Sequence, residues 1–304
     1  MSGKSPSREN LGRHFICGMC GGFATTITLH PLDCVKTRLQ VNQGRGINFL
    51  SNFFKVVRVT YQEGGVRAFY QGLSPAVLGS VTSWSIYFAC YENAKNRYKR
   101  LLDTNRLNGF YNLISSLEAG IIGSTVTCPL WFLKTRLQLQ NRLCLMPGYV
   151  PYKGITDAVV RIIREEGIKT MYCGLLPSLF LTSHAAIQFV IYEELKYLET
   201  KLNKNINNVQ DYKTGLYGGA ISKFCASMMT YPLQVFRSRM QQLNAKSSYT
   251  NFLDCVVKVW KTEGLAGLYG GLLPNLIRVV PSSSITLMTY EFVNSVMNRY
   301  HILD

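Results

Sequence analysis

The sequence predicts an all-α membrane protein built from three copies of one unit, each read as span, amphipathic segment, span. Three observations predict it. Runs of about bilayer length carry almost no acid or base. A set of motifs recurs about every hundred residues. Between the runs lie segments of helical apolar spacing with basic residues interleaved, the pattern of helices at a membrane surface.

The runs emerge from the composition. Of 304 residues, 47% are hydrophobic and only 16% charged, against roughly 25% charged in soluble domains. The formal net charge is +16, so the few charges are mostly basic. A mean hydropathy of +0.05 is low for a membrane protein, but the charge is unevenly distributed. From Leu73 to Tyr91 there is no acid or base other than tyrosine, and from Tyr172 to Tyr192 only His184 is added. Comparable runs cover Phe15 to Leu32, Ala119 to Leu133, Phe224 to Phe236, and Val279 to Tyr290, the last extended back to Leu268 across Arg278. These are six candidate spans, several weak singly, as suits helices lining a watery path. Met1 to Arg13 is polar and lacks the apolar centre of a secretory signal. The nine cysteines are scattered and form no disulfide framework. Cys17 and Cys20 make a CxxC without the further ligands that zinc requires, so no metal is expected.

Repetition is the strongest signal. Pro31-Leu-Asp33-Cys-Val-Lys36-Thr-Arg38-Leu-Gln40 returns as Pro129-Leu-Trp131-Phe-Leu-Lys134-Thr-Arg136-Leu-Gln138 and again as Pro232-Leu-Gln234-Val-Phe-Arg237-Ser-Arg239-Met-Gln241. A second block follows each copy: Glu63-Gly64 through Gly72 and Pro75, Glu166-Gly167 through Gly174 and Pro177, Glu263-Gly264 through Gly271 and Pro274. A third block closes each: Tyr91-Glu92 with Lys95, Tyr192-Glu193 with Lys196, Tyr290-Glu291 with Asn294. The units divide the chain as 1–105, 106–208 and 209–304. The amphipathic segments are Asn48 to Gln62, Gly154 to Glu165 and Tyr249 to Thr262.

The threefold Pro-x-acid-x-x-base signature with its Glu-Gly block resembles the mitochondrial carrier family over essentially the whole chain. The resemblance implies six tilted transmembrane helices in three pseudo-threefold repeats, with three short matrix-side amphipathic helices. It further implies a multi-pass protein of the mitochondrial inner membrane, surrounded by lipid. Such a protein works as a monomer, opening a central cavity to either side in turn, with no cofactor and no catalytic residues.

Proline inside a helix removes a hydrogen bond and kinks it, so Pro31, Pro129 and Pro232 each bend a helix. Asp33 and Lys36 lie three apart and share a helical face. By the resemblance, the kinked ends converge into a matrix gate of Asp33, Lys36, Trp131, Lys134, Gln234 and Arg237. In that arrangement Asp33 pairs with Lys134, and Gln40, Gln138 and Gln241 stand where a glutamine braces an ion pair. Trp131 and Gln234 replace two of the family's acids, so Lys36 and Arg237 are left without carboxylate partners. Closure is then expected to be weaker than a complete ionic ring and favourable to an anion. Glu92, Lys95, Glu193, Lys196 and Glu291 are expected as the cytoplasmic gate, with Asn294 in place of a third base.

Charges within spans are costly unless they face water or a partner, which marks Glu118, Lys223 and Arg278 as functional candidates. Glu118 and Lys223 either pair with each other or contact a ligand. Arg278 lies thirteen residues before Glu291, and the same offset from Glu92 and Glu193 points to Gly79 and Phe180. These levels resemble the family's substrate contact points and add Leu181 and Ser80. Gly79 and Ser80 are small enough to admit a bulky flat ring. Trp84 and His184, about one turn further, either stack on that ring or pack between helices. Arginine binds phosphate or carboxylate through its planar fork. The pairs Gly18–Gly22 and Gly215–Gly219 are spaced for close helix packing.

Trp131 in the second signature resembles the subgroup that moves folate, FAD, NAD and pyrimidine nucleotides. Ser183-His184, Gln234 and the stretch Pro274-Asn275-Leu-Ile-Arg278 look most like the folate or FAD carriers. The expected substrate is therefore FAD or folate, a small anionic nucleotide-like or pterin-like molecule, with NAD or a pyrimidine nucleotide as the alternative. A basic helical scaffold for nucleic acid is the remote rival, and the long charge-free spans argue against it. A flavin enzyme is disfavoured because no dinucleotide-binding glycine loop occurs.

Overall fold

The computed structural model describes residues 8–41, 49–104, 107–143, 150–202, 211–243 and 245–299. The described residues are almost entirely helical. The first unit comprises α1 (Arg8–Val41), α2 (Phe49–Phe69) and α3 (Leu73–Leu101). The second comprises α4 (Gly109–Leu143), α5 (Ile155–Glu165), a short 3₁₀ turn (Ile168–Tyr172), α6 (Leu175–Leu181) and α7 (His184–Leu202). The third comprises α8 (Asp211–Gln241), the single turn α9 (Ala245–Ser248), α10 (Phe252–Leu268) and α11 (Leu272–Arg299). Six long helical passages result, since α6 and α7 form one passage broken at Thr182 and Ser183.

The passages close on themselves: α3 packs on α4, α7 on α8, and α11 returns to α1. Among the described residues, only the stretches Gly109–Gln140 and Ile168–Leu198 are long and apolar enough to cross a membrane by hydropathy alone. Hydroxyls occur along all six passages, and α1, α4 and α8 also carry the signature charges. The hydroxyls settle locally, as Thr25 on the Gly21 carbonyl at 2.8 Å, Ser80 on Ala76 at 2.8 Å and Thr127 on Gly123 at 2.7 Å. A hydroxyl bonded to its own helix four residues back needs no water, which lowers the cost of placing it in a span.

Each amphipathic segment packs under the far half of its own signature helix. Val35, Leu39 and Val56 bury one another with Phe53 and Phe69 beside them. Phe132 and Leu137 meet Ile162 and Met171 in the second unit, and Phe236 meets Cys255 and Val259 in the third. Burying a side chain of this size contributes about 1.5–3 kcal/mol, so these clusters clamp the short helices in place.

The turn into each second passage is made by glycine in the left-handed region, Gly72 (φ 79°), Gly174 (φ 87°) and Gly271 (φ 83°). Each also presses on the next unit's signature base: a Cβ would lie 2.9 Å from the Lys134 carbonyl oxygen at Gly72, 3.2 Å from Arg237 at Gly174 and 2.9 Å from Lys36 at Gly271. The first unit has nine positions from Glu63 to Gly72 where the others have eight. Its extra residue is absorbed at Gly64, whose backbone is extended, before Gly65 takes the positive φ of 62°.

Close packing of α1 on α11 uses a different glycine from those expected. Nothing approaches Gly18 or Gly22, whereas a Cβ at Gly21 would lie 2.9 Å from the Thr286 carbonyl oxygen. Thr25 and Thr286 hydroxyls bond there at 2.7 Å. Likewise nothing approaches Gly219, and Gly218 meets Tyr192; the surroundings of Gly215 lie outside the described side chains. The expected pairs do not make these contacts at Gly18, Gly22 or Gly219, because a shift of one residue turns the face by about 100°.

Candidate functional site

Proline interrupts α1, α4 and α8 at Pro31, Pro129 and Pro232, and the three helices meet just beyond these points. The first convergence is ionic. Lys134 Nζ lies 3.7 Å from Asp33 Oδ2, and Arg278 reaches Asp33 Oδ1 at 2.9 Å. The second is amide-based: Lys36 Nζ donates to Gln234 Oε1 and to Asn275 Oδ1, each at 2.8 Å. The third is aromatic, with the Arg237 guanidinium 5.6 Å from the Trp131 ring centre and Lys134 Nζ 5.1 Å from it. The indole N–H donates to Ser83 Oγ at 3.3 Å.

The two units that lack an acid thus keep a partner for the next unit's base, by a carbonyl dipole in one case and a π face in the other. A hydrogen bond to a charged group is worth about 1.5–3 kcal/mol, and a cation over an aromatic face about 0.5–2 kcal/mol. Among the described residues Lys36 and Arg237 form no carboxylate pair, but neither is bare. Among the described residues, four cations, Lys36, Lys134, Arg237 and Arg278, thus share this level with Asp33, and two of them bind it.

A second threefold circuit lies one turn further. Thr37 donates to Gln138 Oε1 at 2.8 Å, Thr135 to Gln241 Oε1 at 2.9 Å and Ser238 to Gln40 Oε1 at 2.7 Å. This corrects the expected role of the glutamines. They tie hydroxyls of a neighbouring unit, because the single turn between base and glutamine carries the amide past the ion pair.

A third circuit was missed in the sequence. Arg38 bonds Glu63 at 2.6 Å, Arg136 bonds Glu166 through both nitrogens at 2.8 Å, and Arg239 bonds Glu263 at 2.6 Å. These arginines are the largest fully buried side chains among the described residues. An arginine seven residues after each proline, matched to each Glu-Gly, was the signal available.

Arg278, expected as a substrate contact, reaches the signature level, where its guanidinium binds Asp33. Gly79 also touches the gate, since a Cβ there would lie 3.5 Å from the Trp131 ring. Ser80 bonds its own helix. Trp84 is 62% exposed and stacks on Phe88 at 5.6 Å. Trp84, Phe88, Glu92 and Lys95 recur at intervals of three and four residues, so they share one face of α3. Phe88 went unremarked in the sequence, although this spacing marks it. The thirteen-residue offset is about 3.6 turns and rotates by roughly 140°, so Gly79 faces α4 and not the Glu92 side.

Phe180 requires correction: it stacks on Phe252 of the surface helix α10 at 6.3 Å. The break at Thr182 and Ser183 invalidates counting back from Glu193 at helical pitch. Leu181 is half-buried beside that break. His184 Nδ1 bonds Thr230 Oγ1 at 2.9 Å, joining α7 to α8. The Thr230 hydroxyl already donates to Ala226, so the imidazole nitrogen is the donor.

Glu118 and Lys223 do not pair. Glu118 accepts from the Tyr98 hydroxyl at 2.6 Å and bonds Arg97, both on α3. Lys223 is half-buried on α8 and forms no ion pair among the described residues. At the far end Glu92, Glu193, Glu291 and Lys196 are exposed, and Lys95 lies over the Tyr91 ring at 5.7 Å. Among the described residues no cluster of histidine, cysteine or acid is arranged for a metal.

A closed ring of helices, drawn together at one end by charged side chains turned inward, is the architecture of a gated membrane transport protein. The profile of the mitochondrial carrier protein family matches residues 7–101, 105–202 and 211–301. The chain belongs to that family, and is a transporter and not an enzyme. It is similar to the chloroplastic folate transporter 1 of Arabidopsis thaliana, 40% identical over 93% of this chain and 94% of the relative. It is also similar to the mitochondrial nicotinamide adenine dinucleotide transporter 2 of the same plant, 37% identical over 90% and 76%. The mitochondrial nicotinamide adenine dinucleotide transporter 1 of Saccharomyces cerevisiae is 35% identical over 91% and 75%.

Proposed function

We propose that this carrier moves a small anion bearing a flat heteroaromatic ring, FAD or folate, across the mitochondrial inner membrane as a monomer of three units. The observation that carries the reading is a carboxylate, Asp33, bound by Lys134 and Arg278, beside two further cations, Lys36 and Arg237, that are met by amides and an aromatic face. An anion entering from the exposed-glutamate end meets this group at the base of the cavity, and Trp84 with Phe88 offers its ring an aromatic wall. Binding energy offsets the cost of parting the gate pairs, after which the other end closes. The similarity to a folate transporter supports the substrate class, and the similarity to two NAD transporters supports NAD as the second reading.

The test is uptake by purified protein in liposomes, comparing labelled FAD, folate, NAD and pyrimidine nucleotides, with Arg278→Ala beside wild type. Saturable uptake of FAD or folate, reduced at least tenfold in the variant, is the expected result. Uptake confined to NAD or a pyrimidine nucleotide would move the substrate to the second reading.

A further inference from the structure

We propose that Trp131 is a latch displaced by the ring of the carried molecule, the aromatic counterpart of the anion that displaces Asp33 from its cations. The inference rests on the substrate class argued above. Four observations carry it. The indole covers Gly79, where a Cβ would meet it at 3.5 Å, so the small-residue surface expected to receive a ring is already occupied by one. Its N–H is held by Ser83 at 3.3 Å, a long bond that is easily exchanged. Its π surface is shared by two cations, Lys134 at 5.1 Å and Arg237 at 5.6 Å. Finally, Trp131 occupies an acid position of the threefold signature, where a carboxylate would bind Arg237 without any relation to a flat ring.

Displacement of the indole does two things at once. It vacates a flat surface beside Gly79 and Ser83, and it removes the π partner from Lys134 and Arg237. A molecule that has both a flat ring and an anionic end replaces both losses. A ring-less dianion replaces only the second, and so cannot open the gate at comparable cost. The latch therefore converts ring recognition into gate opening, and gives selectivity that the cations alone lack.

The experiment compares wild type, Trp131→Phe, Trp131→Leu and Trp131→Asp in liposomes, measuring uptake of the ring-bearing probe (FAD, folate or NAD) against malate, a ring-less dianion. Phe keeps a π face, Leu keeps apolar bulk, and Asp restores the ionic closure, so the three do not share one route to misfolding. The expected result is a ring-to-malate ratio within about threefold of wild type for Phe and reduced at least tenfold for both Leu and Asp. A ratio unchanged in Leu and Asp would overturn the latch while leaving the substrate class intact. Wild-type uptake of malate with none of the ring-bearing probes would overturn both.

Discussion

Asp33, the acid of the first signature, binds Lys134 and Arg278, and its removal has a definite sign. Asp33→Ala leaves Lys134 and the partly exposed Arg278 without their shared acid, which costs less than the about 3–5 kcal/mol of breaking a fully buried pair. Purified Asp33→Ala protein is expected to melt several degrees lower in detergent and to leak small anions when reconstituted; an unchanged melt would remove Asp33 from the closed gate. Glu118 makes the opposite case. Its partners Arg97 and Tyr98 lie on α3 and Arg97 is exposed, so Glu118→Gln is expected to lower the melt slightly and leave uptake within about twofold, in the range of a surface ion pair. A large loss of uptake would restore Glu118 to the substrate site.

At the scale of the element, the helices are held by close approaches that single glycines permit. Gly21→Leu is expected to disrupt the α1–α11 contact and prevent stable purification, while Gly18→Leu and Gly22→Leu are tolerated, since nothing stands near those positions. The reverse pattern would mean that the register of these helices is wrong. Gly271→Ala adds a Cβ in the left-handed region and 2.9 Å from the Lys36 carbonyl oxygen, which costs at least about 1–2 kcal/mol. A thermal melt of the variant reads this directly. The buried arginine–glutamate pairs explain why each Glu-Gly follows its signature: the glutamate receives the arginine, and the glycine then turns the chain.

For the whole molecule, the balance between the two closed ends follows from the number of ionic pairs. Here one acid serves the signature end, and an amide and an indole stand in for the others. Gln234→Glu gives Lys36 a carboxylate partner and is expected to favour closure at that end, raising the melting temperature and slowing uptake by about three- to tenfold, a shift of roughly 1 kcal/mol. Faster uptake with a lower melt would show that this end is not the one that limits turnover.

Much of this was legible in the sequence because it depends on linear spacing. Three prolines with bases at fixed offsets define kinked helices; charge-free runs define spans; basic amphipathic stretches define surface helices. None of these needs a neighbour to be recognised. Which residues meet depended on rotation about each helix, and there small differences decide. One residue of phase moved the packing glycine from Gly18 and Gly22 to Gly21. The break at Thr182 turned Phe180 toward Phe252, and the pitch beyond Pro232 placed Gln241 on Thr135 and not on an ion pair. Trp131 could be seen in the sequence as a missing acid. That it holds two cations on its face could be seen only once α3, α4 and α8 were brought together, because a π face has a direction and a one-letter pattern has none.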